Sequence, residues 1–328
     1  MLRWGILGTG FISDTVIEAI KSSSGSELAM IAGRNAERVS EVREAHKFPR
    51  YSIGYDAILA DPDIDVIYIG LPNHVHHSMT IKAAENGKAV LSEKSLTTTM
   101  EQAKALVDGV RTNGTFFLEG LMYLAHPLYR RLSELLLDGR LGKLRAVNGA
   151  YAANIWQVVN PAGGGTLYNL GCYPVSLLHF IVQSMCGDDA FQSRRMQAVG
   201  NRSETDGNIC DTAVTVRFEN GVLANLQSTD SYGMAYDFSI FGEKGVLRFI
   251  TNPWHPLAGR NHLQWCPYNG PCEDIFIDDA NDAFYYQIKL VEAALTAGKK
   301  EADRPSPRLE DSLEIMAFLT EWEASCDP

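Results

Sequence analysis

Short apolar runs alternate with amphipathic stretches through the first third of this chain. Residues 2–7, 27–32, 65–70, 89–92 and 115–118 read as buried strands. Between them, residues 15–20, 36–46, 55–60, 77–86 and 100–111 carry the wider spacing of helices. Such regular alternation predicts an α/β fold with a doubly wound parallel sheet up to about residue 120. The rhythm then changes. Helices at 128–137 and 173–185 flank an apolar stretch at 144–155, and strands follow at 196–202, 211–218, 222–228, 238–241 and 246–250. Asn220-Gly221 marks a hairpin. Strands without intervening helices predict a second, α+β domain with a mostly antiparallel sheet. Two helices, 282–296 and 309–324, close the chain around a Pro305-Ser306-Pro307 turn. The expected domains are thus 1–120 and 121–328, with a return of the last helix towards the first domain left open.

The first strand stops at Gly8-Thr9-Gly10 and passes directly into a helix. Strand, glycine turn and helix start together predict a dinucleotide site. Gly8 permits the tight turn, Gly10 lets a pyrophosphate approach, and Ser13 is small enough for helix and strand to pack. The alternative is an ordinary turn that binds nothing. An acidic residue about 20 positions further on would hold a ribose hydroxyl. Here the second strand ends at Arg34, with Arg38 one turn into the helix. Guanidinium groups suit a 2′-phosphate, so NADP is expected, with NAD as the alternative.

Composition narrows the partners. The 328 residues carry a net charge of -11, which disfavours a nucleic-acid surface. The six cysteines form no Cys-x-x-Cys pair and read as reduced thiols. No signal peptide or membrane-length apolar run is found, so a cytoplasmic protein without membrane partners is expected.

In an open α/β sheet, ligands bind beyond the carboxyl ends of the strands. That rule selects residues 71–76, Glu93-Lys94 and Glu119-Gly120. Lys94 follows an apolar strand directly, and its ammonium could stabilise oxyanion charge during hydride transfer. A surface lysine paired with Glu93 is the plainer reading. Gly163-Gly164-Gly165 then leads to Asn169 and Tyr173, one helical turn apart. Those two could address one small polar substrate, with Tyr173 as acid/base and Lys94 lowering its pKa. Met122, Tyr123, His126, Trp156 and Gln157 are candidates for substrate choice. His74, His76 and His77 cluster without a carboxylate at ligand spacing, and no metal is expected.

With these pieces placed, the sequence resembles the Gfo/Idh/MocA oxidoreductase family over nearly its whole length. The resemblance rests on Gly8-x-Gly10, Pro72-Asn73-x-x-His76, Glu93-Lys94 and Gly163-Gly164-Gly165-x-Leu167-x-Asn169-x-Gly171-x-Tyr173. The final tyrosine looks most like the branch of dimeric dihydrodiol dehydrogenase and glucose–fructose oxidoreductase. The resemblance implies an N-terminal Rossmann domain and a C-terminal domain whose open sheet forms a homodimer or homotetramer. It also implies a nicotinamide cofactor and hydride transfer at a secondary alcohol or carbonyl of a sugar, polyol or diol. A dinucleotide-binding sensor without turnover is the other function compatible with it. Lys94 would be the catalytic lysine and Tyr173 the proton donor or acceptor, with Asn169, Tyr123 and Trp156 expected at the substrate. Gly8, Gly10, Phe11, Ile12, Arg34, Arg38, Leu71, Pro72, Asn73, His76, Glu93 and Lys94 would line the cofactor. Two positions depart from the family pattern. Ser95 replaces the usual proline after the lysine, which predicts a trans or a strained peptide, since a cis non-proline bond costs about 3 kcal/mol. Asn169 stands where aspartate is common.

Overall fold

The computed structural model describes residues 1–326 and divides into two compact units. The first comprises Met1–Met122 and Phe284–Ser312; the second comprises Tyr123–Ala283 and the described residues from Leu313 onward.

The first unit alternates β1 (Leu2–Leu7), α1 (Phe11–Ser22), β2 (Ser26–Gly33), α2 (Ala36–His46), β3 (Arg50–Ile53), α3 (Asp56–Ala60), β4 (Val66–Ile69), α4 (His76–Glu85), β5 (Ala89–Glu93), α5 (Met100–Asn113) and β6 (Phe117–Gly120). Its six strands lie in the order β3-β2-β1-β4-β5-β6, all parallel. This is the doubly wound Rossmann arrangement, whose strand order reverses between β1 and β4. Ile6, Ile31, Ile67, Tyr68 and Val90 are fully buried, as expected of strands covered on both faces. Asn35 caps α2 by accepting from the Arg38 amide at 3.0 Å, and Thr99 caps α5 from the Gln102 amide at 3.2 Å. Each such cap stabilises its helix by about 1 kcal/mol. α1 begins after Gly10 with no side-chain cap.

The second unit contains α6 (Pro127–Leu137), β7 (Leu144–Ala153), α7 (Cys172–Cys186), β8 (Arg194–Arg202), β9 (Ile209–Phe218), β10 (Leu223–Thr229), β11 (Met234–Gly242), β12 (Gly245–Phe249), β13 (Gly259–Pro267) and β14 (Glu273–Asp279). The strands form one sheet in the order β14-β13-β12-β11-β7-β10-β9-β8. Only the β7–β10 pair is parallel. β9 and β10 alternate buried and exposed positions, so the sheet presents one core face and one open face. α7 packs on β7, and its residues from Cys172 to Gln183 are all buried.

Two expectations are corrected here and one of two alternatives is removed. The chain after 120 does not stay in the second unit, because α8 (Ala283–Thr296) and the segment after it return to the first. Glu292 of α8 accepts from the Ser23 and Ser26 hydroxyls at 2.5 and 2.6 Å, and Lys300 O accepts from the Phe117 amide. α9 (Leu309–Ser325) begins in the first unit and continues in the second. Cys266 and Cys272 are not reduced thiols; the β13–β14 hairpin brings their Cα atoms to 4.1 Å and they form a disulfide. The Lys94–Ser95 peptide is cis rather than trans, and the Ser95 carbonyl faces the His76 ring at 2.8 Å.

Candidate functional site

In the first unit the β1 and β4 ends meet at the switch point. Leu7 pairs with Ile69, the Gly70 amide donates to Leu7 O, and the Gly8 amide donates to Ala32 O. Gly8 sits at φ +111°, and a Cβ there would stand 2.3 Å from Gly70 O. No other residue fits that turn. Above Gly10 a Cβ would meet nothing within 4 Å, so the start of α1 is open. Ser13 is fully buried, and its hydroxyl lies where a Cβ on Gly70 would collide. Phe11 is 77 % exposed at the helix start, and Ile12 is half-buried. An uncapped helix start beneath open space is a site for a pyrophosphate, and these residues fit a dinucleotide.

The two arginines differ. Arg38 donates to Thr9 O at 3.1 Å and pairs with Glu41 and, more loosely, Asp14. It therefore ties α2 to the glycine turn. Arg34 is exposed at the end of β2 and reaches the Tyr55 hydroxyl.

Beyond β4, Leu71 and Pro72 are half-buried and Asn73 is buried. His76 is fully enclosed, its ring nitrogens 2.8 Å from Ser95 O and 2.7 Å from Leu71 O. Burial pushes its pKa down to about 4, so the neutral ring donates to one of the two carbonyls. With both ring nitrogens engaged by carbonyls, it clamps two strand-end loops together. Glu93 is likewise enclosed, accepting from the Tyr68 hydroxyl at 2.9 Å. Burial raises its pKa, opposed by Lys94 and Tyr68. Burial also pushes Glu119, one strand over, up to about 7. Lys94 itself is half-buried at the end of β5. Among the described residues no group of three or more His, Cys, Asp or Glu is arranged to hold a metal ion.

In the second unit a π-helical turn, Leu167–Gly171, runs straight into α7 and carries Asn169 to the start of the helix that bears Tyr173. Such turns recur at functional sites. The Tyr173 ring lies 5.4 Å from Tyr151 and 5.8 Å from Tyr123. Tyr123 is fully enclosed, its hydroxyl against Ser176 Oγ at 2.6 Å and donating to Tyr173 O at 3.2 Å. Tyr123 thus props Tyr173 through its hydroxyl.

Trp156 is 48 % exposed and lines a cavity of about 410 Å³. The same lining includes Asp230, which no sequence signal singled out. Its backbone is fixed on three sides. The amide donates to Cys210 O at 3.0 Å, while the carbonyl accepts from the Ile155 and Trp156 amides at 2.9 and 3.0 Å. Burial pushes the Asp230 carboxyl up to about 6, against the opposing pull of the neighbouring Asn169 side chain. Gly165 joins the same wall at φ +78°, where a Cβ would lie 2.5 Å from Ile209 O. Asn169 and Trp156 are therefore brought to one region, by way of a residue that sequence reading missed. The only trace of it in the sequence is an aspartate closing a strand.

Residues 2–121 match the family described as an oxidoreductase family with an NAD-binding Rossmann fold, GFO_IDH_MocA, and residues 129–248 match the GFO/IDH/MocA C-terminal domain. An uncharacterized oxidoreductase, ORF334, of Rhizobium meliloti is 32% identical over 340 residues, covering 100% of this chain and 97% of that protein. The trans-1,2-dihydrobenzene-1,2-diol dehydrogenase of Bos taurus is 29% identical, covering 92% of this chain and 90% of that one. Among solved structures, a 3-ketoreductase from Actinomadura kijaniata in complex with NADP superposes with a TM-score of 0.84 at 23% identity, covering 99% and 97% of the two chains. At that identity the superposition shows the fold.

Proposed function

Because the chain belongs to the GFO/IDH/MocA family of oxidoreductases, we propose that it transfers a hydride between NADP and a secondary alcohol or carbonyl of a sugar, polyol or diol. The observation that carries this reading is the switch point of the six-stranded sheet. There the Gly8 turn and the uncapped α1 offer a pyrophosphate site at the sheet edge that also ends in Lys94. The name of the bovine relative supports a diol or related alcohol as substrate.

When bound, the nicotinamide gives or takes the hydride. The chain's residues do the rest. Backbone amides at Gly10, Phe11 and Ile12 would hold the pyrophosphate, Leu71, Pro72 and Asn73 would flank the cofactor, and Arg34 would take the 2′-phosphate. Lys94 would stabilise charge on a reacting oxygen, and Tyr173 would serve as a proton donor or acceptor. Asn169 and Trp156 contact the substrate. Exposed apolar residues of the second unit, Val199, Leu223 and Met234, support a homodimer or homotetramer through its sheet. No helix among the described residues is long and apolar enough to cross a membrane. The Cys266–Cys272 bond weighs against the cytoplasmic location expected from the dispersed cysteines.

The test follows reduced-nicotinamide absorbance across aldoses, polyols, inositols and vicinal diols, each with NADP⁺ and NAD⁺. Turnover with NADP⁺ on at least one class is expected. Tight NADPH binding without turnover on any class would instead favour a dinucleotide sensor.

A further inference from the structure

The cavity beside Trp156 is built wholly from the second unit, by the segment after β7, the β8–β9 connection and the end of β10. At about 410 Å³ it falls within the usual range for small-molecule sites. Its charge is one-sided. The lining contains two carboxylates, Asp206 and Asp230, and no lysine, arginine or histidine. Arg202, on the neighbouring strand, donates to Gly207 O on its own connection. Several polar groups of the wall serve its own backbone: Asn160 accepts from the Ala162 amide, Asp206 accepts from the Asn208 amide, and Asn208 donates to Pro161 O. Asp230 differs. It lines the cavity yet is only 3% exposed, with the Asn169 side chain beside it, and a carboxylate is an acceptor only. Trp156 adjoins it through the backbone, its amide donating to Asp230 O at 3.0 Å, and its side chain is 48 % exposed at the same cavity.

A phosphate or carboxylate placed here would meet two like charges and no counter-charge, in a recess that screens poorly. A neutral hydroxyl would instead donate to a carboxylate, and such charge-assisted bonds are the stronger kind. We infer that this cavity receives the substrate as an uncharged, polyhydroxylated ring, with hydroxyls donating to Asp230 and a C–H face against Trp156. Phosphorylated, carboxylated and nucleotide-linked sugars are then excluded. The assignment rests on the proposed function for the chemistry and adds to it the charge class of the substrate and the residue that selects it.

Matched pairs test it: D-glucose and D-glucose 6-phosphate, D-galactose and D-galacturonate, myo-inositol and its 1-phosphate, each with NADP⁺. The neutral member should be favoured at least tenfold in kcat/KM. Asp230→Asn, nearly isosteric, should raise KM for the preferred neutral compound about tenfold while kcat stays within about threefold. Trp156→Ala changes an exposed side chain and should also raise KM, which guards against a folding defect in the first variant. Preference for an ionised member, or KM unmoved in both variants, overturns the inference. If no compound turns over, the proposed function fails separately. Calorimetric binding of the same pairs then decides the cavity: binding of a neutral member, lost in Asp230→Asn, supports it, and stronger binding of an ionised member or no neutral binding overturns it.

Discussion

At the switch point of the first unit, chemistry is made by backbone: Gly8 at φ +111°, open space above Gly10, and a helix start without a side-chain cap. At the end of β10 in the second unit it is made by side chains from three separated segments, carrying Trp156, Asn169 and Asp230. A backbone site needs particular residues at fixed spacing, so it leaves a motif in the sequence. A side-chain site needs only that the fold bring the right groups together, and it leaves almost none. The first binds a constant partner, a dinucleotide, while the second is free to vary with the substrate.

The comparison breaks most sharply at Lys94. Lys94→Ala should lower kcat/KM about a thousandfold, within the range for general acid–base and electrostatic groups. NADPH affinity, measured by fluorescence titration, should change less than about tenfold. Equal losses in both would make Lys94 a cofactor residue only.

Glu119 sharpens it next, through pH. Burial raises its pKa to about 7 in the folded state, so the folded protein holds a proton that the unfolded chain releases near 4.5. Its contribution is therefore most favourable below about pH 4.5, declines as pH rises, and is fully unfavourable above about 7, by about 3 kcal/mol. Glu119→Gln should remove this slope in denaturant melts between those pH values. A variant with the wild-type slope would place the titration elsewhere.

Gly8→Ala follows. Its positive φ and the 2.3 Å approach to Gly70 O predict a loss of about 2 kcal/mol and of NADPH binding together. Gly10→Ala, with nothing within 4 Å, should hold stability within about 0.5 kcal/mol while weakening NADPH binding. Equal thermal midpoints for the two variants would contradict the backbone account. The smallest effect is expected at Arg34. Arg34→Ala should weaken NADP⁺ about tenfold and NAD⁺ little, as titration of each nucleotide would show.

Legibility followed the same division. The parallel sheet, the glycine turn and the strand ends at Leu71, Lys94 and Glu119 were readable because buried parallel strands are continuous apolar runs. β3 escaped because Arg50–Ile53 is four residues long and half exposed at a sheet edge. The β13–β14 hairpin escaped because Asn261, His262 and Gln264 dilute its alternation, although Asn261 is buried and donates to Leu257 O. With the hairpin went the disulfide, since Cys266 and Cys272 are adjacent only once the strands pair. Tyr123, His76 and Glu93 are all buried, and sequence alone cannot separate a residue that lines a site from one that props it. Asp230 was invisible because its partners at 156 and 169 lie far away along the chain.

The most direct measurement takes Tyr173→Phe and determines NADPH affinity and the rate of hydride transfer in a single turnover on the same sample. The account predicts affinity within about threefold of the unmodified protein and hydride transfer slowed at least a hundredfold. Transfer at the unmodified rate, or affinity and rate falling together, would contradict it.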